Sequence, residues 1–176
     1  RNVSFGTKSN VRIRRCVVTG NHKFQGGHAQ GIYADDIDGL LIEECVFHQN
    51  GRKGDRSDAT MFNHNMYLSI PMTNAVIRRN IVSDASANGI SFNGTGEIYE
   101  ILLVRIPIGI FARSAPASVR DNVVMEGTDI NSSLLRGFGI IVGDAWENTG
   151  GPAVVEGNLV IDNLSSGGHP GIFVER

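Results

Sequence analysis

The stretch NHNMYLS, residues 63–69, places His64 and Tyr67 on what reads as one short strand, directly after a long polar run at 48–62. An imidazole exchanges its proton near neutral pH without large tuning, so His64 is a candidate general base. A phenol can donate to a departing oxygen, so Tyr67 is a candidate acid. His28 and Tyr33 stand in a similar relation upstream and form a second candidate pair. Lys23 is an alternative base if its pKa is depressed. Asn65, Asn93, Lys23 and Arg113 offer amide and cationic groups for binding, and Phe111 offers an aromatic face. His22, His48 and His169 are expected to be ordinary solvated or hydrogen-bonded loop side chains.

The groups are carried by a repeat. Segments 11–18 (VRIRRCVV), 40–47 (LLIEECVF), 75–82 (AVIRRNIV), 96–103 (GEIYEILL), 117–124 (ASVRDNVV) and 153–160 (AVVEGNLV) align without gaps. Each is followed by a second motif: GIYA at 31–34, NMYL at 65–68, GISF at 89–92, GIFA at 109–112, GIIV at 139–142 and GIFV at 171–174. The shortest repeats, Asn80 to Ile101 and Ile101 to Asn122, have room for short strands and turns and none for a helix. One coil cannot bury its own apolar face, so the coils must stack, with neighbours about 4.8 Å apart. The architecture predicted is an all-β, right-handed parallel β-helix of about six coils, the hand following from the right-handed preference of parallel crossovers.

Within the first motif the sixth position is Cys16, Cys45, Asn80, Ile101, Asn122 and Asn158. An inward Asn at a sharp bend can satisfy turn amides that water does not reach, which predicts a ladder broken at Ile101. Cys16 and Cys45 share that slot in adjacent coils. Two buried thiols are the expectation, and a disulfide between stacked slots is geometrically conceivable. A single solenoid over residues 1–176 is expected, with both ends uncapped and covered by further coils or caps of a longer parent.

Bulk composition narrows the partners. The formal charge is −2 and there is no basic tract, which argues against nucleic acid and anionic membrane. No apolar run approaches a membrane span. Gly is abundant at 22 residues and Pro scarce at 5, and no long 3.6-residue period is present.

The insertions, 19–30, 48–64, 126–138 and a shorter one at 162–170, leave mostly from one corner of the coil, and all five histidines fall there. Such loops build one wall of a groove beside the Gly-type strands. Alternation points Ile32, Met66, Ile90, Ile110, Ile140 and Ile172 inward, and Tyr33, Tyr67, Ser91, Phe111, Ile141 and Phe173 outward. An open aromatic row suits stacking against sugar rings; loops that bury the row are the alternative. The charged run Arg52, Lys53, Asp55, Arg56 and Asp58 reads as a solvated loop face. Arg78 and Arg79 read as surface away from the groove. Trp146, beside Asp144 and Glu147, reads as a sugar contact from the opposite wall or a loop anchor.

The paired motifs resemble those of the right-handed parallel β-helix repeat proteins, the superfamily of pectate-lyase-like polysaccharide lyases, polygalacturonase-like hydrolases and phage tailspike depolymerases. The resemblance covers nearly the whole chain. It implies an extracellular or periplasmic carbohydrate-active protein with a polysaccharide or oligosaccharide partner. The pectate lyase and mannuronan epimerase signatures are absent. ADD at 34–36 is faintly similar to the paired aspartates of the polygalacturonases, whose other motifs are missing. A lyase acting on a uronic-acid polymer by β-elimination is the leading expectation. His64 or His28 would remove the proton α to the carboxylate, Tyr67 or Tyr33 would protonate the leaving oxygen, and Asn65, Arg113 or Lys23 would hold the carboxylate. A non-catalytic glycan-binding or structural module is the alternative. A glycoside hydrolase comes third, with Asp35 and Asp58 as the pair to check. No cofactor is expected. Ca2+ on Asp35, Asp36 or Asp38 is the alternative, and an Asp-rich turn explains the same residues.

Overall fold

The structure is a computed structural model that describes residues 7–23, 28–113, 116–130, 137–143, 153–165 and 167–174. Its strands assemble into three six-stranded sheets, parallel throughout, and one three-stranded sheet. Sheet 1 contains Arg12–Arg14, Leu41–Glu43, Ala75–Arg78, Gly96–Tyr99, Ala117–Arg120 and Ala153–Glu156. Sheet 2 contains Val17–Thr19, Val46–His48, Ile81–Ser83, Leu102–Val104, Val123–Met125 and Leu159–Ile161. Sheet 3 contains Gln30–Ala34, His64–Leu68, Asn88–Phe92, Ile108–Ala112, Phe138–Val142 and Ile172–Val174. The chain visits the sheets in the same order on every turn, so each strand pairs with its counterpart one coil away. This is a right-handed parallel β-helix of six coils.

The register matches the repeat residue for residue. Ile13, Ile42, Ile77, Ile98, Val119 and Val155 stack in sheet 1. Val18, Phe47, Val82, Leu103, Val124 and Val160 stack in sheet 2. Ile32, Met66, Ile90, Ile110, Ile140 and Ile172 stack in sheet 3. The three columns meet along the axis as one hydrophobic core. Burying each aliphatic side chain there is worth about 1.5–3 kcal/mol, which a lone coil could not obtain.

Two bends per coil turn the chain by placing one residue in the left-handed region. Between sheets 1 and 2 these are Arg15, Glu44, Arg79, Glu100, Asp121 and Gly157, with φ from 51° to 63°. After sheet 2 they are Gly20, Gln49, Asp84, Arg105, Glu126 and Asp162, with φ from 50° to 72°. The residue following the first bend is the expected ladder slot. Asn80 Oδ1 accepts from the Cys45 N–H at 2.9 Å, and its Nδ2 donates to the Ile42 carbonyl at 3.0 Å. Asn122 accepts from the Ile101 N–H at 3.1 Å, and Asn158 from the Asn122 N–H at 3.0 Å. Ile101 interrupts the ladder as the sequence predicts.

Both cysteines are free. Cys45 is buried, but Cys16 is exposed, so the pair is not the two buried thiols expected from the slot. The Cys16 N–H donates to the Cys45 sulfur at 3.4 Å, and burial pushes the Cys45 thiol pKa up.

A second ladder follows the second bend. Asn21 donates through its side chain to Asn50 Oδ1 at 2.8 Å, and Asn50 Nδ2 donates to Asn65 Oδ1 at 2.8 Å. Asn65 comes from sheet 3, at the position that is glycine in every other coil. Those glycines sit against the next coil: a Cβ on Gly109 would lie 2.6 Å from Val124 Cγ1, and one on Gly139 2.5 Å from Val160 Cγ1. Asn65 Nδ2 reaches the next coil at the Ser83 carbonyl, 2.9 Å away, where the residue after the second bend is Ala85.

Candidate functional site

The outer face of sheet 3 divides into two zones. Over coils 4 to 6, Ile108, Phe111 and Ile141 are buried as a satellite core, packed by Phe138 and Phe173. The expected open aromatic row therefore stops short of Phe111. Over coils 1 to 3 the face is polar and aromatic. Tyr33 and Tyr67 are register partners with ring centroids 5.7 Å apart and planes tilted by 34°. Tyr33 is 57% exposed and Tyr67 is half-buried. The Tyr33 hydroxyl donates to Asp35 Oδ2 at 3.0 Å, and this hydrogen bond, followed by burial, raises the phenol pKa.

The two histidines beside this pair differ. His64 is 6% exposed, and its ring stacks on Tyr67 at 5.3 Å. Its Nδ1 accepts the Asn88 backbone N–H at 3.2 Å. That contact commits the lone pair on Nδ1 to the backbone of the next coil. His28 is exposed, and its Nδ1 lies 3.4 Å from the Phe62 carbonyl oxygen. A carbonyl only accepts, so this contact is a hydrogen bond in the tautomer with the proton on Nδ1, and that tautomer leaves the lone pair on Nε2. The His28 ring meets Phe62 edge-on at 5.2 Å, and Phe62 is 52% exposed. Phe62 thus extends the aromatic surface. Sequence reading passed over it as the end of a polar run, and only its aromatic type in a polar context marked it.

The remaining candidates are placed as follows. Asn65 is fully buried, with its amide held by Asn50 and by the Ser83 carbonyl at 2.9 Å, so it belongs to the second ladder and not to the groove floor. Lys23 is partly buried in the coil 1 loop. Phe111 is under the Arg113 guanidinium, whose carbon sits 4.4 Å from the ring centroid. Asn93 and Arg113 follow the strands of coils 3 and 4 on the same face as Ser91. Ser91 Oγ, Asn93 Oδ1 and Arg113 Nε are all shielded from solvent and have no hydrogen-bond partner among the described residues. Ser91 is the register partner of Tyr67, so this polar strip continues directly from the tyrosine pair.

Asp36 accepts from Thr7 at 2.8 Å, and Asp38 accepts from Thr73 and Asn74, each at 2.7 Å. With Asp35 on Tyr33, the three carboxylates share no partner. Among the described residues no three His, Cys, Asp or Glu side chains converge. Asp58 accepts the Lys53 N–H of its own loop. His169 stacks on Phe138 at 4.2 Å, His48 contacts Ser83 Oγ at 2.8 Å, and His22 is exposed. The charged run is not uniformly solvated, because Arg52 is 5% exposed and reaches Asp84 Oδ1 at 3.3 Å. Arg78 and Arg79 hold Glu43 on the outside of sheet 1, away from the groove. Trp146, Asp144 and Glu147 lie outside the described residues.

A family model described as "Right handed beta helix region" matches residues 2–104. No curated protein and no solved structure matches the chain.

Proposed function

The chain belongs to the right-handed β-helix family, and we propose that it binds a glycan along the outer face of sheet 3. The observation that carries this reading is the open Tyr33–Tyr67 pair, with the exposed Phe62 and His28 rings beside it. A sugar ring presents apolar C–H faces and polar edges. The first suit a tyrosine face, and the second suit a phenol hydroxyl at its rim. Phe62 and His28 extend the stacking surface on the coil 1 side. The reading carries an extracellular or periplasmic setting with it, where such polymers are met.

Binding is tested by calorimetry against a panel of uronic-acid and neutral polysaccharides. Tyr33→Ala and Tyr67→Ala are each expected to weaken binding at least about tenfold, equivalent to about 1.4 kcal/mol. No saturable binding to any polymer, or binding indifferent to both substitutions, overturns the reading.

A second reading, β-elimination on a uronic-acid polymer, is favoured by the tautomer of His28. With Nδ1–H turned to the Phe62 carbonyl, Nε2 can accept the proton α to the carboxylate. The Tyr33 phenol, kept protonated by Asp35, can give one to the leaving oxygen. Turnover is read from the ultraviolet absorbance of unsaturated uronate. His28→Ala should abolish it while binding to the Tyr33–Tyr67 surface persists.

A further inference from the structure

On the outside of the second bend, the loop 48–64 closes over coils 3 and 4 and leaves a recess of about 390 Å³. Its lining includes His48, Arg52, Arg56, Asp84 and Arg105. Three guanidiniums and an imidazole thus surround one carboxylate. Arg105 grips Asp84 with both ends of its fork, Nε to Oδ1 at 3.1 Å and Nη2 to Oδ2 at 2.9 Å. His48 Nδ1 is 3.4 Å from Asp84 Oδ2. Asp84 therefore has little left for Arg52.

Arg52 is buried, and all its hydrogen bonds are long: 3.3 Å to Asp84, 3.4 Å to the Ala85 carbonyl and 3.4 Å to the Lys53 carbonyl. Well-formed N–H···O bonds run about 2.7–3.2 Å, so a buried cation is only loosely engaged. Burial lowers the Arg52 pKa, Asp84 opposes that, and the Arg56 and Arg105 charges add to the lowering. Two further carboxylates bear on the cluster from outside its lining. Glu126 lies 3.5 Å from Arg105 Nη1, and Asp58 acts on Arg52 from within the loop. Among the described residues, the Arg56 side chain takes part in no hydrogen bond or ion pair. Its fork is open to a ligand.

We propose that this recess is a binding site for a tetrahedral oxyanion, a phosphate or sulfate group. Such a group presents oxygens in several directions at once, which matches forks converging from the loop and from coil 4. A flat carboxylate already occupies the Asp84 position and cannot reach all of them. The site lies at the corner from which the groove wall departs, so it is separate from the Tyr33–Tyr67 surface and does not depend on the glycan reading.

The shared chemistry has two sources, a free inorganic anion or an ester on a polymer. Calorimetry at low ionic strength with inorganic phosphate, with sulfate and with dextran sulfate distinguishes them. The expected result is saturable binding to at least one probe that chloride at equal ionic strength does not reproduce. It should weaken at least tenfold in Arg56→Gln, an exposed position where the fold is not at risk, and be unchanged in Arg120→Gln on sheet 1. Binding to the inorganic ions assigns a free anion, and binding to dextran sulfate alone assigns an ester. No saturable binding to any probe overturns the proposal, as does equal loss in Arg56→Gln and Arg120→Gln.

Discussion

Glu43 shows what one side chain does on the outside of this solenoid. It is 1% exposed, yet it is charged and surrounded by Arg14, Arg78 and Arg79 from the coils on either side. The Arg78 hydrogen bond, then Arg14, holds its pKa below the ordinary glutamate value against the opposing effect of burial. A carboxylate whose pKa is lower in the folded chain than in the unfolded one stabilises the fold fully above the unfolded value. That contribution drains away as pH falls from there through the depressed folded value. Removing the charge leaves the three guanidiniums without it. Glu43→Gln should therefore lower the urea midpoint at neutral pH. It should also flatten the loss of stability below the ordinary glutamate range relative to the parent, as read from urea melts across acid pH. An unchanged acid slope would mean that Glu43 does not carry that dependence. The clamp was not visible in the sequence, because Arg78 and Glu43 meet only across coils and nothing in either segment alone reveals the pairing. Asn65 escaped for a related reason. Its identity suggests a groove amide, and only its bonds to Asn50 and to the Ser83 carbonyl of the next coil show that it is turned inward.

The elements of this fold are short strands joined by bends, and the bends carry constraints of opposite kinds. At the first bend the backbone itself is costly. Glu100 sits at φ 55° with an exposed side chain, where an L-residue is disfavoured by roughly 1 kcal/mol. At the Gly column of sheet 3 the backbone is ordinary and the space is missing. A Cβ on Gly109 would lie 2.6 Å from both the Gly139 carbonyl oxygen and Val124 Cγ1. Glu100→Gly should accordingly be neutral or stabilising by up to about 0.5 kcal/mol, since relief of strain is partly offset by the freer unfolded chain. Gly109→Ala should cost about 1–3 kcal/mol through overpacking. Both are read from denaturant midpoints, and a reversal of the two signs would contradict this division. The sequence revealed the strands because their apolar residues repeat in phase. It did not reveal the bends, because four residue types besides glycine fill the twelve bend positions, and none is a turn signature by itself.

For the molecule as a whole, the three core columns were legible in full, since aligned repeats translate directly into stacked registers. The functional face was legible only in part. Tyr33 and Tyr67 follow from alternation, but the commitment of His64 to the Asn88 amide and the burial of Phe111 depend on neighbours brought in by insertions that have no repeat. The same geometry determines how the fold comes apart. Each coil touches only the next, so stability is a sum of coil and interface contributions and need not be lost all at once. Phe92 lies at the centre of this arrangement, fully buried between Leu68 of coil 2 and Ala112 of coil 4. Phe92→Ala leaves a cavity that the small Ala112 cannot fill, a loss of about 3–5 kcal/mol. Native-state hydrogen exchange should then show the largest fall in protection in Asn88–Phe92, His64–Leu68 and Ile108–Ala112, with smaller falls in the sheet 3 strands of coils 1 and 6. An equal fall in every coil would show instead that the stack unfolds as one indivisible unit, and that coupling along the axis outweighs the independence of its turns.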